Sequence, residues 1–172
     1  MNIGWIPAKY AALDPHREAI IDPAIGLRVS YAQLDHTVRC LANGLATQCR
    51  VARGDRIAVL AKNCVEYMAI YYACARVGFI TQPLNWRLGA RELAKIVIDG
   101  EPAALVSSAE FRSVRDELQR SVDLAHWLEF GHNSDGSFDA LIDSASDDEP
   151  AISTEVGDRD PVLILYTGGT TG

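Results

Sequence analysis

The strongest constraint on the fold is a repeated alternation of short apolar strands with amphipathic helices. The clearest helix begins after Ser30, because Ser30 and Gln33 have capping-box spacing and an apolar stripe follows to about Arg50. A buried strand is predicted at 56–61, and helices and strands alternate from there to about Ser144. Helical crossovers join parallel strands, so the pattern predicts an α/β fold with a mostly parallel β-sheet flanked by helices on both faces.

The individual elements follow from these periodicities and from turn residues. Turn chemistry at 23–26 predicts a hairpin, and Asn63 is the predicted N-cap of the helix after the first buried strand. Gly78 is predicted to end that helix, and Gly100 and Pro102 the next one. The predicted strands are 19–22, 27–30, 56–61, 79–84, 103–106, 126–130 and 161–166, and the later helices are 65–76, 90–99, 108–120 and about 138–144.

Composition and charge exclude several classes of function. The net charge is −7 and no dense basic cluster is present, which argues against a nucleic-acid-binding surface. The amino terminus lacks the features of a signal peptide, and no apolar run approaches the ~18 residues needed to span a membrane. These features predict a cytoplasmic protein.

Cysteines, histidines and acidic residues do not form a recognisable metal or disulfide motif. The four cysteines lack CxxC spacing and are predicted to be reduced, mostly buried thiols. The four histidines have no spacing suited to a metal site, so no metal-binding residue is predicted. The acidic stretch 144–159, with its run 147–149, is predicted to be a solvated surface connection. The cysteines are Cys40, Cys49, Cys64 and Cys74.

A short apolar strand near the end of the sequence leads into a run of only glycine and threonine. Strand 161–166 is followed by Thr167, Gly168, Gly169, Thr170, Thr171 and Gly172. Glycines let backbone N–H groups approach an anion closely, and threonine hydroxyls add further donors. The pattern therefore predicts a phosphate-binding loop, and the residues from Thr167 to Gly172 are the candidate ligand-binding residues.

Two common phosphate-binding motifs do not match this loop. A P-loop needs the pattern GxxxxGK[ST], but Gly168 and Gly172 are one residue too close and no lysine is present. The dinucleotide fingerprint GxGxxG does not fit 168–172 either, and such loops usually follow the first strand of their fold. A third kind of loop is needed to account for the pattern.

The segment from Tyr166 to Gly172 resembles the loop of AMP-forming acyl-CoA synthetases and related adenylate-forming ligases. That loop typically reads Tyr-Thr-Ser-Gly-Thr-Thr-Gly and continues into Lys-Pro-Lys-Gly. The one departure inside the loop is Gly168, where serine is usual. Glycine keeps the backbone donor and loses one hydroxyl, so the change should be tolerated.

Three upstream stretches also resemble this family. They are 30–34, which resembles the family's opening helix, 54–60, which resembles its Gly-Asp-Arg strand, and 83–88, which resembles a further stretch of the family's sequence. Each is weak alone, but they occur in the expected order. The resemblance thus covers about residues 10–172.

The resemblance implies a fold, an activity and a set of ligands. The fold would be the N-terminal subdomain of the adenylate-forming enzyme fold. In the activity, a small carboxylic acid attacks the α-phosphate of ATP to give an acyl-adenylate and pyrophosphate, and the thiol of CoA then takes the acyl group. ATP, Mg²⁺ and CoA are the implied cofactors, and 167–172 would cradle the β- and γ-phosphates.

Several parts of such an enzyme are not found in these residues. No lysine or arginine follows Arg159, whereas the family has a lysine after the loop, a metal-binding acid, an acyl pocket and a C-terminal lid further downstream. We therefore expect 1–172 to be a single N-terminal subdomain that ends within the phosphate-binding motif, holds no catalytic residue and is inactive alone. Apolar surface exposed on such a subdomain makes a homodimer a further expectation.

Three other functions are compatible with the same features. One is a non-catalytic binding module that kept the fold and lost the chemistry. The others are an adenylating enzyme that loads an acid onto a carrier-protein thiol and a luciferase-like oxidase. The segments that separate these functions lie downstream of Gly172 in the family, so the alternatives and the identity of the acid stay open.

Overall fold

The computed structural model describes residues 2–151, 156–157 and 159–167. The strands assigned in these residues are β1 (Glu18–Asp22), β2 (Leu27–Ser30), β3 (Arg56–Leu60), β4 (Ile80–Pro83), β5 (Ala104–Ser108) and β6 (His126–Phe130). The α-helices are α1 (Ile6–Leu13), α2 (Tyr31–Thr47), α3 (Val65–Val77), α4 (Ala90–Gly100), α5 (Arg112–Gln119) and α6 (Ser137–Asp143). The first part of the predicted helix 108–120 is a 3₁₀ turn at Ala109–Phe111.

The main sheet is parallel throughout its assigned strands. Its order is β4–β3–β5–β6, and each neighbouring pair runs in the same direction. Strands β1 and β2 form a separate antiparallel hairpin. The structure therefore confirms the predicted α/β fold with a mostly parallel sheet, as well as the hairpin that precedes it.

Side chains alternate between the two faces of the central strand β3. Ile57 and Val59 pack into a core shared with α2, α3 and α6, whereas Ala58 and Leu60 pack into a second core with α4. All four side chains are fully buried. Burying an aliphatic side chain contributes about 1.5–3 kcal/mol, so a strand covered on both faces is a main source of stability.

Helix ends follow the sequence in some places and depart from it in others. The capping box of α2 is confirmed, because the Gln33 amide donates to Ser30 Oγ at 3.3 Å and the Ser30 amide donates to Gln33 Oε1 at 2.8 Å. Gly78 ends α3 at a φ of 78°, as predicted. The prediction of Asn63 as an N-cap is wrong. Cys64 holds that position and makes no side-chain capping bond, because α3 begins at the residue after it.

The end of α4 also differs from the prediction. Gly100 remains within the helix, and Glu101 takes the left-handed C-cap conformation at a φ of 43°. A side chain at position 100 has no room, because a Cβ there would lie 2.1 Å from the buried Gln82 amide nitrogen. The glycine is therefore needed for close packing of α4 on β4 rather than for a turn.

The predicted strand 161–166 is wrong in extent. It forms a single parallel bridge between Leu163 and Thr81 of β4, with hydrogen bonds of 3.0 Å from the Thr81 amide to Val162 O and from the Ile164 amide to Thr81 O. The next donor that a parallel ladder would require is the amide of Pro83. Proline has no N–H, so the ladder stops after one bridge.

The thiols agree with the sequence interpretation. All four cysteines are free, and Cys40, Cys49 and Cys74 are buried while Cys64 is half-buried. Burial raises the pKa of Cys74 to about 12, so this thiol stays protonated and unreactive at neutral pH. No helix in the described part of the chain has the length and apolar character required to cross a bilayer.

A buried arginine connects three parts of the chain on the α2–α3 side. The side chain of Arg76 on α3 is fully buried, donates from Nη2 to Asp35 Oδ1 at 2.7 Å and donates from Nε to the Gly4 carbonyl at 3.0 Å. Its guanidinium carbon lies 5.2 Å from the centre of the Trp5 ring. Since burying a charge is costly unless it is paired, Asp35 is the residue that makes this position of Arg76 possible.

The acidic run 147–149 is exposed, as predicted, but it also contacts the helices beneath it. The backbone carbonyl of Asp148 accepts from Asn43 of α2 at 2.9 Å, and the carboxylate of Glu149 lies 3.6 Å from Arg76 Nη1. The distance from Glu149 is too long for a hydrogen bond, but it adds negative charge beside the buried guanidinium. The run therefore lies on the surface of α2 and α3, held by a backbone hydrogen bond to Asn43 and close to the guanidinium of Arg76.

We expect Asp35→Ala to destabilise the fold strongly. The substitution removes the direct carboxylate partner of a fully buried guanidinium, and breaking one side of a buried ion pair costs about 3–5 kcal/mol. The measurement is the free energy of unfolding from urea titrations followed by circular dichroism.

The matched control is Glu18→Ala in the hairpin. Glu18 pairs with Arg28 at 2.5 Å, but the side chains are 44% and 63% exposed, so the loss should stay below about 1 kcal/mol. Equal losses in the two variants would contradict the importance assigned to the buried pair.

Candidate functional site

The candidate site lies at the carboxyl end of β4. Parallel strands present the loops after their carboxyl ends on one edge of the sheet, where α/β folds generally bind ligands. A cavity of about 590 Å³ opens at this edge, between the loop after β4, the first turns of α4 and the segment 165–167. Its walls combine apolar side chains with Asn85, Glu92, Lys95, Tyr166 and Thr167.

Only the first of the predicted loop residues can be placed. Thr167 is exposed and lines the cavity. Gly168, Gly169, Thr170, Thr171 and Gly172 lie outside the described residues, so their role in binding phosphate stays a prediction. The structure thus places the amino end of the loop, Thr167, at the cavity, four residues after the bridge between Leu163 and β4.

A hydrogen bond attaches the residue before the loop to α4. The hydroxyl of Tyr166 donates to Asp99 Oδ2 at 2.5 Å. Burial, together with the hydrogen bond to the Asp99 carboxylate and its negative charge, raises the pKa of Tyr166 from 10.0 to about 12. Sequence reasoning missed this pair, because the residues are 67 positions apart and neither belongs to a local motif.

Cations lie on an aromatic side chain at the same edge of the sheet. The ammonium of Lys62, just after β3, lies 5.2 Å from the centre of the Trp86 ring and 2.7 Å from Glu110 Oε2. The guanidinium of Arg87 lies 4.3 Å from the same ring. Cation–π contacts of this kind hold the loops after β3 and β4 together, at about 0.5–1 kcal/mol each when exposed.

The cavity itself has one cationic side chain available for an anion. Lys95 on α4 is exposed, lines the cavity and makes no ion pair with the residues that the structure describes. Glu92 lies one turn earlier on the helix, where its side chain accepts from the Gly89 amide at 3.1 Å. An ammonium, a threonine hydroxyl and apolar walls suit a ligand that is anionic at one end. Within the described ranges no three histidine, cysteine or acidic side chains are grouped closely enough to hold a metal ion.

Comparison with known proteins identifies the family. The family described as AMP-binding enzyme matches residues 8–172. The chain belongs to this family. Residue 8 to residue 172 is nearly the whole sequence, so the match covers the parallel sheet as well as the loop. The resemblance derived from the loop and from the upstream stretches is thereby confirmed.

Named relatives in this family are acyl-CoA ligases. Long-chain-fatty-acid–CoA ligase FadD13 of Mycobacterium tuberculosis is 33% identical over 175 residues, which cover 99% of this chain and 33% of the relative. Indoleacetate–CoA ligase of Aromatoleum aromaticum is 35% identical, covering 98% of this chain and 32% of the relative. The chain therefore spans about a third of the length of the curated relatives that it matches.

A solved structure agrees with the fold. The inhibitor-bound N-terminal domain of FACL13 from Mycobacterium tuberculosis matches with a TM-score of 0.88 at 32% identity, covering 99% of this chain and 42% of that one. The predicted assignment to the N-terminal part of the adenylate-forming fold is confirmed.

We expect Asp99→Asn to lower the pKa of Tyr166 part of the way from about 12 toward 10. The substitution removes the negative charge that disfavours tyrosinate, while burial of the phenol remains. The measurement is an alkaline titration of tyrosinate absorbance, compared with Tyr166→Phe because Tyr67 also titrates near pH 12.

The control for this titration is Asp139→Asn on α6. That helix packs against β6, at the opposite edge of the sheet from β4, so the titration of Tyr166 should not change. An unchanged curve for Asp99→Asn would mean that the phenol and the carboxylate are not in contact.

Proposed function

We propose that the protein carrying this chain is an AMP-forming acyl-CoA ligase. It would join a carboxylic acid to ATP, giving an acyl-adenylate and pyrophosphate, and then transfer the acyl group to the thiol of CoA. The observation that carries this proposal is the collinear family match over 8–172, which includes the Thr/Gly-rich loop. The names of the relatives, which are CoA ligases acting on a fatty acid and on indoleacetate, support CoA as the acceptor.

In this proposal the chain contributes the phosphate end of the nucleotide site. The hydroxyl of Thr167 and the ammonium of Lys95 line one cavity and would bind an anionic group there, while the Glu92 carboxylate of the same wall accepts from the Gly89 amide. Backbone amides of 168–172 would add donors to the β- and γ-phosphates. Mg²⁺ bound with ATP would neutralise charge that develops on the pyrophosphate leaving group.

Residues 1–172 by themselves are proposed to be inactive. Among the described residues that line the cavity Lys95 is the cation, and we propose that pyrophosphate departure also requires positive charge from Mg²⁺ and from other parts of the protein. An assay of ATP–pyrophosphate exchange on the 172-residue polypeptide should give the background rate. Turnover above background would contradict this part of the proposal.

The decisive experiment uses the complete polypeptide that contains this chain. It should catalyse ATP–pyrophosphate exchange that depends on an added carboxylic acid, tested with fatty, aryl and arylacetic acids. Formation of acyl-CoA on addition of CoA would support the ligase. Acyl transfer only to a carrier-protein thiol, or no exchange with any acid, would contradict it in favour of the alternatives.

We expect Thr167→Val to raise the KM for MgATP about tenfold in the same assay. The change removes a hydroxyl donor at the cavity while keeping size and shape, and a hydrogen bond to a charged group contributes about 1.5–3 kcal/mol. Thr47→Val is the control, because Thr47 is exposed at the end of α2, where its hydroxyl donates to the Asn43 carbonyl at 2.7 Å. An unchanged KM for Thr167→Val would remove Thr167 from the site.

A further inference from the structure

We propose that the hydrogen bond between Tyr166 and Asp99 fixes the amino end of the Thr/Gly-rich loop for nucleotide binding. Tyr166 and Asp99 are then positioning residues, which act on the nucleotide through Thr167. This inference rests on the proposed function to the extent that the loop binds a nucleotide.

Backbone hydrogen bonds attach the segment 161–166, which leads to the loop, to the sheet at one point. The bridge between Leu163 and Thr81 supplies two hydrogen bonds, and the absent N–H of Pro83 ends the ladder there. No backbone hydrogen bond is made by 165–167 within the part of the chain that the structure describes. Beyond Ile164, the hydroxyl of Tyr166 is therefore the next polar attachment to the rest of the fold.

Apolar packing does not replace this attachment. Leu165 is 64% exposed and packs weakly, whereas Tyr166 is 37% exposed, so its ring is held partly by packing and its hydroxyl by Asp99. A bond from a neutral phenol to a carboxylate is charge-assisted, which makes it stronger and shorter than an ordinary hydrogen bond. The distance of 2.5 Å between Tyr166 Oη and Asp99 Oδ2 agrees with that description.

The acceptor, Asp99, lies on helix α4, which is packed firmly against the sheet. Asp99 lies in the last turn of α4, whose Leu93 and Val97 are buried in the second core. Arg56 of β3 donates from Nε to the Gly100 carbonyl and from Nη2 to the Glu101 carbonyl, each at 2.7 Å. These bonds satisfy carbonyls at the end of α4 and fix its position relative to β3.

Fixing one end of a glycine-rich loop affects binding through entropy. Each residue ordered on binding loses conformational freedom, and glycine loses most. When Tyr166 is held on α4, Thr167 stays at the cavity and fewer backbone torsions have to be fixed by the nucleotide. Loss of the bond should therefore weaken MgATP binding without changing contacts to the carboxylic acid.

The test is a double-mutant cycle in the complete polypeptide. Tyr166→Phe, Asp99→Leu and the double variant are compared by equilibrium binding of MgATP and by the KM values of ATP–pyrophosphate exchange. We expect each single change to raise the Kd and KM for MgATP about tenfold, and the double variant to be no worse than either, because both remove one bond. The KM for the acid should stay within about twofold, and Asp99→Asn, which keeps an acceptor oxygen, should recover part of the loss.

The control is Tyr10→Phe on α1. The ring of Tyr10 stacks on Tyr31 at 5.0 Å, away from the cavity, and its hydroxyl has no hydrogen bond to the described residues. Melting temperatures of all variants should match this control.

Unchanged MgATP affinity in Tyr166→Phe, or additive losses in the double variant, would overturn the inference. Wild-type protein that binds MgATP but exchanges no pyrophosphate would instead overturn the proposed function alone, and wild-type protein that binds no MgATP would overturn both.

Discussion

The need to cover both faces of the parallel sheet governs the rest of this structure. Strand β3 lies at the centre with Ile57 and Val59 on one face and Ala58 and Leu60 on the other, all fully buried. Two-sided burial requires helices on each side, which the crossovers α3 and α4 supply on their way to β4 and β5. Once these layers form, the carboxyl ends of the strands lie at one edge, where the loop after β4 lines the cavity together with α4 and 165–167.

Two fully buried charged side chains, Arg76 and Glu129, are held by ion pairs. Arg76 joins α3 to Asp35 of α2 and to the Gly4 carbonyl, so it couples the helical layer to the amino-terminal segment. On the far edge, the fully buried Glu129 of β6 accepts from Arg112 and lies 2.9 Å from Arg115 Nη1. Both networks neutralise a charge that packing has buried, since an unpaired buried charge would be costly.

The sequence predicted the layers because their signals are local. The alternation along β3, the capping box of Ser30 and Gln33, and Gly78 each depend on spacing within one element. The prediction of Asn63 as an N-cap was wrong because several residue types can precede a helix. In the structure Cys64 occupies that position. The pair of Tyr166 and Asp99 could not be predicted, because it exists only after α4 and the approach to the loop have been brought together by the sheet.

In the segment 161–166, a single proline of β4 limits the pairing with the sheet to one bridge. A full ladder on β4 would give 161–166 the extended geometry of an edge strand, with side chains alternating above and below the sheet. Pro83 prevents this by withholding the donor that the ladder needs after Ile164. The chain is then free to leave the sheet plane, so that consecutive residues Leu165, Tyr166 and Thr167 all line the cavity. A side-chain bond to α4 takes the place of the missing backbone pairing, which holds the amino end of the loop in position without extending the β-strand into it.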